Sequence, residues 1–308
     1  MANRTKIVIA GIGGVGGYFG GLLARTYAGM DKVEIYFIAR GEHLRQIKKH
    51  GLRVIKGDTE FLAIPYLATA DPWQVGIADY ILICTKSYDL NDILAELKPC
   101  IDDHTVIISL LNGVESVELI REKFPKNRVP AGFAYIVAAI REPGIIENLG
   151  NRQEMLFGLD GARSEELVKL EDLLNSAGIE ATYSQEISKL VWEKFIFLSC
   201  IATATSYYQK TVGQLLEHHK EYLQNLISEV KTIAIKKNIA IDEQIIAKAM
   251  THYEDLPYTT TSSMQRDFEQ KKNRTELNSI TGYVVNEAKK INIETPYFEN
   301  AYLALLKR

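Results

Sequence analysis

The sequence predicts an α/β chain in which a doubly wound parallel sheet occupies the N-terminal part and an all-helical region follows. Three observations carry this reading. Continuous apolar runs such as Tyr80-Ile81-Leu82-Ile83-Cys84 and Val106-Ile107-Ile108-Ser109-Leu110 alternate with helix-like segments. Such runs belong to strands covered on both faces, hence to a parallel sheet. The first strand, Lys6-Ile7-Val8-Ile9-Ala10, leads directly into Gly11-Ile12-Gly13-Gly14-Val15-Gly16 and a helical run to about Ala28. Beyond about Ser184 strand signals vanish. The expected boundaries are 1–183 for a Rossmann-type domain and 184–308 for a helical one, with a cleft between them.

The glycine turn is the strand–turn–helix unit that holds a dinucleotide. Gly11 permits the tight turn, Gly13 admits a pyrophosphate and Gly16 lets helix and strand pack closely. The phosphates would sit on the free N–H groups and positive end of the helix, at Ile12, Gly14 and Val15 as well. A second strand, Val33–Ala39, ends in Arg40, where an acid would select the ribose 2′-hydroxyl of NAD. An arginine there suits the 2′-phosphate of NADP(H) instead, although a plain surface arginine would look the same.

Along the chain, Glu42–His50 reads as a charged helix. Leu52–Val54 and Phe61–Leu67 read as a hairpin around Lys56-Gly57-Asp58. Ligands of a parallel sheet lie beyond the C-terminal ends of its strands. This puts Gly11–Gly16, Arg40, Lys86 and Asn112 along one edge, while Asn112-Gly113 also reads as an ordinary turn. In the C-terminal part, Ile187–Tyr208, Gln214–Lys237, Asp242–Tyr253, Glu276–Ile291 and Tyr297–Leu306 read as helices, punctuated by Pro257 and Pro296.

Composition narrows the function. With 308 residues, 46% apolar, 24% charged and a net charge of −3, the chain is an ordinary globular protein with no bias toward nucleic acid or an anionic membrane. No apolar run approaches a membrane span. Met1–Arg4 leads straight into a core strand, so no signal peptide is expected. Its 3 cysteines, far apart and without a CxxC pair, suit a reducing compartment, so a cytoplasmic protein is expected. His218 and His219 point about 100° apart on a helix, are not expected to share a metal, and are expected to be solvated. No metal is expected.

Two polar residues in the helical part could do chemistry. Lys194 precedes Phe195-Ile196-Phe197-Leu198-Ser199-Cys200-Ile201-Ala202, a helix apolar on nearly every side. Partial desolvation there would lower its pKa and make it a usable general acid. A lysine that snorkels to solvent fits the same position. Glu276 follows Thr275 and opens a helix, where an acid also serves as a simple complement to the dipole.

These segments together resemble the ketopantoate reductase (2-dehydropantoate 2-reductase) family almost end to end. The glycine turn is similar to its cofactor loop, and Ala39-Arg40-Gly41-Glu42-His43-Leu44 to the segment after its second strand. Thr85-Lys86, Asn112-Gly113-Val114, Trp192-Glu193-Lys194-Phe195, Ser262–Asp267 and Arg274-Thr275-Glu276-Leu277 resemble its remaining signatures. The resemblance implies reduction of the ketone of ketopantoate to pantoate, on the route to pantothenate. It makes Lys194 the proton donor and Glu276 its catalytic companion at the cofactor ribose. Asn112 would lie between nicotinamide and substrate, Lys86 beside both, Ser263 on the substrate, and Ala138, in an expected strand Ile136–Ala139, along the cofactor. Two departures bear on the substrate. Leu198 and Ala202 stand where the family usually has asparagines facing it, and the spacing from Asp267 to Glu276 is one residue longer. A more apolar 2-oxo acid is therefore one alternative, and a non-catalytic NADP(H)-binding protein another. The expected partner is a small 2-oxo acid, with no nucleic acid or membrane, and a homodimer is left open.

Overall fold

The computed structural model describes residues 4–161 and 163–308. The lead Met1–Asn3, on which the signal-peptide reading rests, lies outside them. The chain divides into two units, 1–111 with 116–187, and 112–115 with 188–308.

The first unit is built on a five-stranded parallel sheet. Its strands are β1 (Thr5–Ala10), β2 (Val33–Ile38), β5 (Leu67–Thr69), β6 (Tyr80–Ile83) and β7 (Val106–Ser109), in the order β5-β2-β1-β6-β7. Every residue of β2, β6 and β7 is buried, as their unbroken apolar runs require. The helices of this unit are α1 (Gly14–Tyr27), α2 (Gly41–His50), α3 (Leu90–Glu96), α4 (Glu115–Lys123) and α5 (Glu165–Ser176). Buried Leu167, Leu170 and Leu174 give α5 one apolar stripe, and Glu165 and Glu166 complement the dipole in its first turn.

Two smaller sheets accompany the first. One runs in the order β4-β3-β10-β9, from β3 (Leu52–Lys56), β4 (Thr59–Ala63), β9 (Ala138–Glu142) and β10 (Ile145–Asn148); the other runs β12-β11-β8, from β8 (Ala131–Tyr135), β11 (Glu154–Gly158) and β12 (Glu180–Ser184). Helix α1 packs between the main sheet and β9–β10–β3, and its glycines make that possible. A Cβ on Gly16 would lie 2.1 Å from the Gly11 carbonyl oxygen, and one on Gly17 or Gly21 would strike Ile146 at 2.5 Å or Val54 at 2.6 Å.

Two expectations for this unit are corrected. The hairpin is β3–β4, which ends at Ala63; Leu67 starts a separate strand parallel to β2. Pro65, lacking an N–H for a sheet ladder, interrupts the apolar run that had read as one strand. Ile136–Ala139 is not a strand, because the chain changes sheets there. β8 pairs with β11 up to Tyr135, while Ala138 opens β9 against β10.

The second unit is helical: α6 (Ile187–Tyr208), α7 (Val212–His218), α8 (Lys220–Lys236), α9 (Ile245–Glu254), α10 (Ser263–Glu269), a π-helical turn at Asn278–Gly282, α11 (Tyr283–Lys290) and α12 (Pro296–Leu305). Helix α8 buries Leu223, Leu226, Ile227, Val230, Ile233 and Ala234 along one face. Its Glu229 carboxylate accepts from the backbone N–H groups of Tyr297 (2.9 Å) and Phe298 (3.0 Å), satisfying the start of α12.

The single helix expected over Gln214–Lys237 is two, broken at His219, whose backbone leaves the helical region. The expected solvation holds for His218 only. His219 stacks on Tyr208 with ring centroids 3.8 Å apart. Helix α9 starts at Ile245, three residues after the expected Asp242, whose carboxylate accepts from Gln244 N–H at 2.8 Å. Helix α10 has no counterpart in the sequence reading. The expected helix from Glu276 begins instead with the π turn, a feature frequent at functional sites.

Candidate active site

In the first unit, the C-terminal ends of three neighbouring strands present the expected cofactor residues. β1 runs into Gly11, whose N–H donates to the Ile38 carbonyl at 3.0 Å. Gly11 has φ +99°, and a Cβ there would lie 2.8 Å from Thr85 Cγ2, so no other residue fits this turn. Gly13 is the opposite case: a Cβ built on it meets nothing within 4 Å. That open space lies where a pyrophosphate would approach, next to the first-turn N–H groups of α1, which have no partner within the helix. Ile12 is buried, while Val15 is half-buried. Ala138 touches the same turn, because a Cβ on Gly14 would fall 2.0 Å from its carbonyl oxygen.

Arg40 follows β2, is exposed, and uses its Nη2 to bind both carboxylate oxygens of Glu96, the last residue of α3. Gly41 after it has φ +61° with nothing within 4 Å of a Cβ, so the start of α2 is open. Lys86, beyond β6, is exposed and accepts at its carbonyl from Asp89 N–H at 3.0 Å. Beside it Thr85 Oγ1 is buried with no hydrogen-bond partner among the described residues. An orphaned hydroxyl on the wall of the glycine turn, an open Gly13 and a cationic Arg40 together fit an NADP(H) molecule. His43 ties this cradle together: its Nδ1 accepts from Gly144 N–H at 2.9 Å. Burial pushes its pKa below the usual histidine value, opposed by the nearby Ile12 carbonyl. Burial also pushes the Cys84 thiol up to about 12, so it stays protonated and inert.

In the second unit, Lys194 is half-buried in α6, and Glu276, only 3% exposed, sits in the turn before the π segment. Asn112-Gly113 joins them. A Cβ on Gly113 would lie 3.4 Å from the Ser279 carbonyl oxygen and 3.9 Å from the Phe195 ring. The loop therefore rests beside the neighbour of Lys194 and three residues past Glu276. Trp192, Phe195 and Tyr283 form an aromatic triangle with centroid separations of 5.6–6.4 Å, which clamps the Lys194 turn to α11. The Thr203 and Thr281 hydroxyls share a buried 2.8 Å hydrogen bond, and Thr205 meets Ser262 at 2.7 Å. Sequence reasoning missed these threonines, since their partners lie more than 50 residues away.

Ser263 is exposed at the start of α10, and it is the adjacent Ser262 that caps the helix by accepting from Gln265 N–H at 3.0 Å. Ala202 is buried in an apolar cluster with Met264, Leu277, Ile280 and Leu305, and half-buried Leu198 packs against it. No three His, Cys, Asp or Glu side chains among the described residues are grouped to hold a metal. No helix among them is long and apolar enough to cross a membrane.

A glycine turn feeding a helix from a parallel sheet, with a lysine-bearing helix in a separate helical unit, defines a nicotinamide-dependent oxidoreductase. Comparison with known proteins sharpens this. The family model described as ketopantoate reductase PanE/ApbA matches residues 7–160, and that of the ketopantoate reductase PanE/ApbA C terminal matches residues 186–307. The uncharacterized oxidoreductase YkpB of Bacillus subtilis (strain 168) is 30% identical over 97% of this chain and 97% of its own. The 2-dehydropantoate 2-reductase of Lactococcus lactis is 28% identical over 95% of this chain and 94% of its own. A crystal structure of 2-dehydropantoate 2-reductase from Porphyromonas gingivalis W83 superposes with TM-score 0.87 at 34% identity, covering 99% of this chain and 100% of that one. The chain belongs to the ketopantoate reductase family and is an NADP-dependent oxidoreductase.

Proposed function

We propose that this chain reduces 2-dehydropantoate to pantoate with NADPH. The observation that carries the proposal is the end-to-end similarity, at 34% identity, to the 2-dehydropantoate 2-reductase of Porphyromonas gingivalis. NADPH when bound supplies the hydride that reduces the ketone carbon. Lys194 gives its ammonium proton to the carbonyl oxygen and stabilises the negative charge that develops there. Asn112, next to Gly113, which lies beside Phe195 and Ser279, orients the substrate, with Lys86 and Ser263 contributing to its binding. Glu276, almost fully buried, anchors the ribose of the cofactor. Gly11–Gly16 and Ala138 hold the pyrophosphate side, and Arg40 takes the 2′-phosphate. Three free thiols suit work in a reducing compartment, the cytoplasm.

A second reading is favoured by one observation. Leu198 and Ala202 belong to an apolar cluster with Met264 and Leu277, and an apolar wall cannot hydrogen-bond the hydroxyl of 2-dehydropantoate. A branched 2-oxo acid lacking that hydroxyl would then be the better substrate. One assay tests both readings, NADPH consumption with 2-dehydropantoate and with a panel of branched 2-oxo acids. Highest kcat/KM on 2-dehydropantoate supports the first, and highest on an unhydroxylated acid the second. No turnover of any of them would reject both.

A further inference from the structure

We propose that Glu96 sets how strongly this enzyme prefers NADPH over NADH, by competing with the 2′-phosphate for Arg40; this rests on the reading that Arg40 takes that phosphate. Helix α3 buries Leu90, Ile93 and Leu94, and its last residue, Glu96, reaches the end of β2. There its two carboxylate oxygens are both bound by Arg40 Nη2. Arg40 is 58% and Glu96 38% exposed at the side chain, so water screens the pair and it is weakly held. One guanidinium nitrogen carries both contacts, in place of the two-nitrogen fork that makes the strongest arginine–carboxylate pairs.

The consequence depends on charge. A phosphate at Arg40 must displace the carboxylate or share the guanidinium with it, and Glu96 also repels the incoming dianion. A 2′-hydroxyl carries no charge, meets no repulsion, and can donate to the carboxylate. Glu96 therefore weakens binding of the phosphorylated cofactor and leaves that of the unphosphorylated one nearly untouched. The α2 start, open at Gly41, also offers the phosphate backbone N–H groups.

The test is calorimetric binding of NADP⁺, NAD⁺ and 2′-AMP to the native protein, Glu96→Gln, Arg40→Ala and the double variant at low ionic strength. Glu96→Gln is expected to tighten NADP⁺ and 2′-AMP about fivefold, as for the loss of one exposed ion pair, while NAD⁺ changes less than about twofold. In the Arg40→Ala background that gain should disappear. If Glu96→Gln leaves NADP⁺ affinity unchanged or weakens it while Arg40→Ala weakens NADP⁺, the competition is refuted and the phosphate reading survives. If Arg40→Ala leaves NADP⁺ affinity unchanged, the phosphate reading itself falls, and this inference with it.

Discussion

Thr203 and Thr281 join their Oγ1 atoms at 2.8 Å in a position where both side chains are fully buried. The bond sets the register between the helix that carries Lys194 and the π turn that follows Glu276. Removing one hydroxyl strands the other, which typically costs about 1–3 kcal/mol. Thr203→Val and Thr281→Val are each expected to lower the urea midpoint. The double variant should lose less than the sum, because no orphan remains. Strict additivity of the two losses would show that the hydroxyls do not act as a pair.

Arg40→Ala is expected to weaken NADPH binding about tenfold and to leave NADH nearly unchanged. A charge-assisted hydrogen bond contributes about 1.5–3 kcal/mol, and the exposure of Arg40 places this one at the low end. Fluorescence titration of both cofactors measures it. Equal affinities of the native protein for NADH and NADPH would contradict the assignment.

Gly13→Ala and Gly14→Ala should separate binding from folding. A Cβ on Gly13 has nothing within 4 Å, whereas one on Gly14 would sit 2.0 Å from the Ala138 carbonyl oxygen. The first variant should keep the native melting temperature and lose cofactor affinity. The second should melt lower, because α1 can no longer seat against β9. Thermal melts with and without NADP⁺ distinguish the two.

Lys194→Ala should retain NADPH affinity and lose about 10²–10⁴-fold in kcat, the range for removing a positioned acid. Near-native turnover would mean that the ammonium serves only to reach solvent.

Leu198→Asn should shift the substrate preference toward 2-dehydropantoate, and adding Ala202→Asn should shift it further. The two sites differ in tolerance. Leu198 is half-buried, but Ala202 is 4% exposed among apolar neighbours. An unpartnered amide there should cost about 1–3 kcal/mol of stability. Paired kcat/KM ratios and urea midpoints measure both effects. An unchanged substrate ratio in a folded double variant would remove these positions from the substrate wall.

Local chemistry carried most of the cofactor half into view from the sequence. Short unbroken apolar runs between helical segments mark strands covered on both faces, and Gly11, Gly13 and Gly16 directly after one mark the phosphate turn. Continuous apolar runs placed β1, β2, β6, β7 and α6 within a residue or so, because elements buried on every side leave a strong signal. The strand boundary at Ile136 was not legible, since nothing local marks where a chain leaves one sheet for another. The break at His219 was hidden for a similar reason: its ring stacks on Tyr208 at the end of α6.

By itself, then, the sequence determined the order of elements, the glycine turn, the cation after β2 and the lysine on a buried helix. Each depends on residues within a few positions of one another, where spacing alone dictates geometry. Only the tertiary structure decided that Arg40 meets Glu96, 56 residues away, that Thr203 meets Thr281, and that Asn112-Gly113 lies against Phe195 and Ser279. These pairings form when distant segments are packed into one core. Loop closure over such separations depends little on local sequence, so no short-range pattern records them.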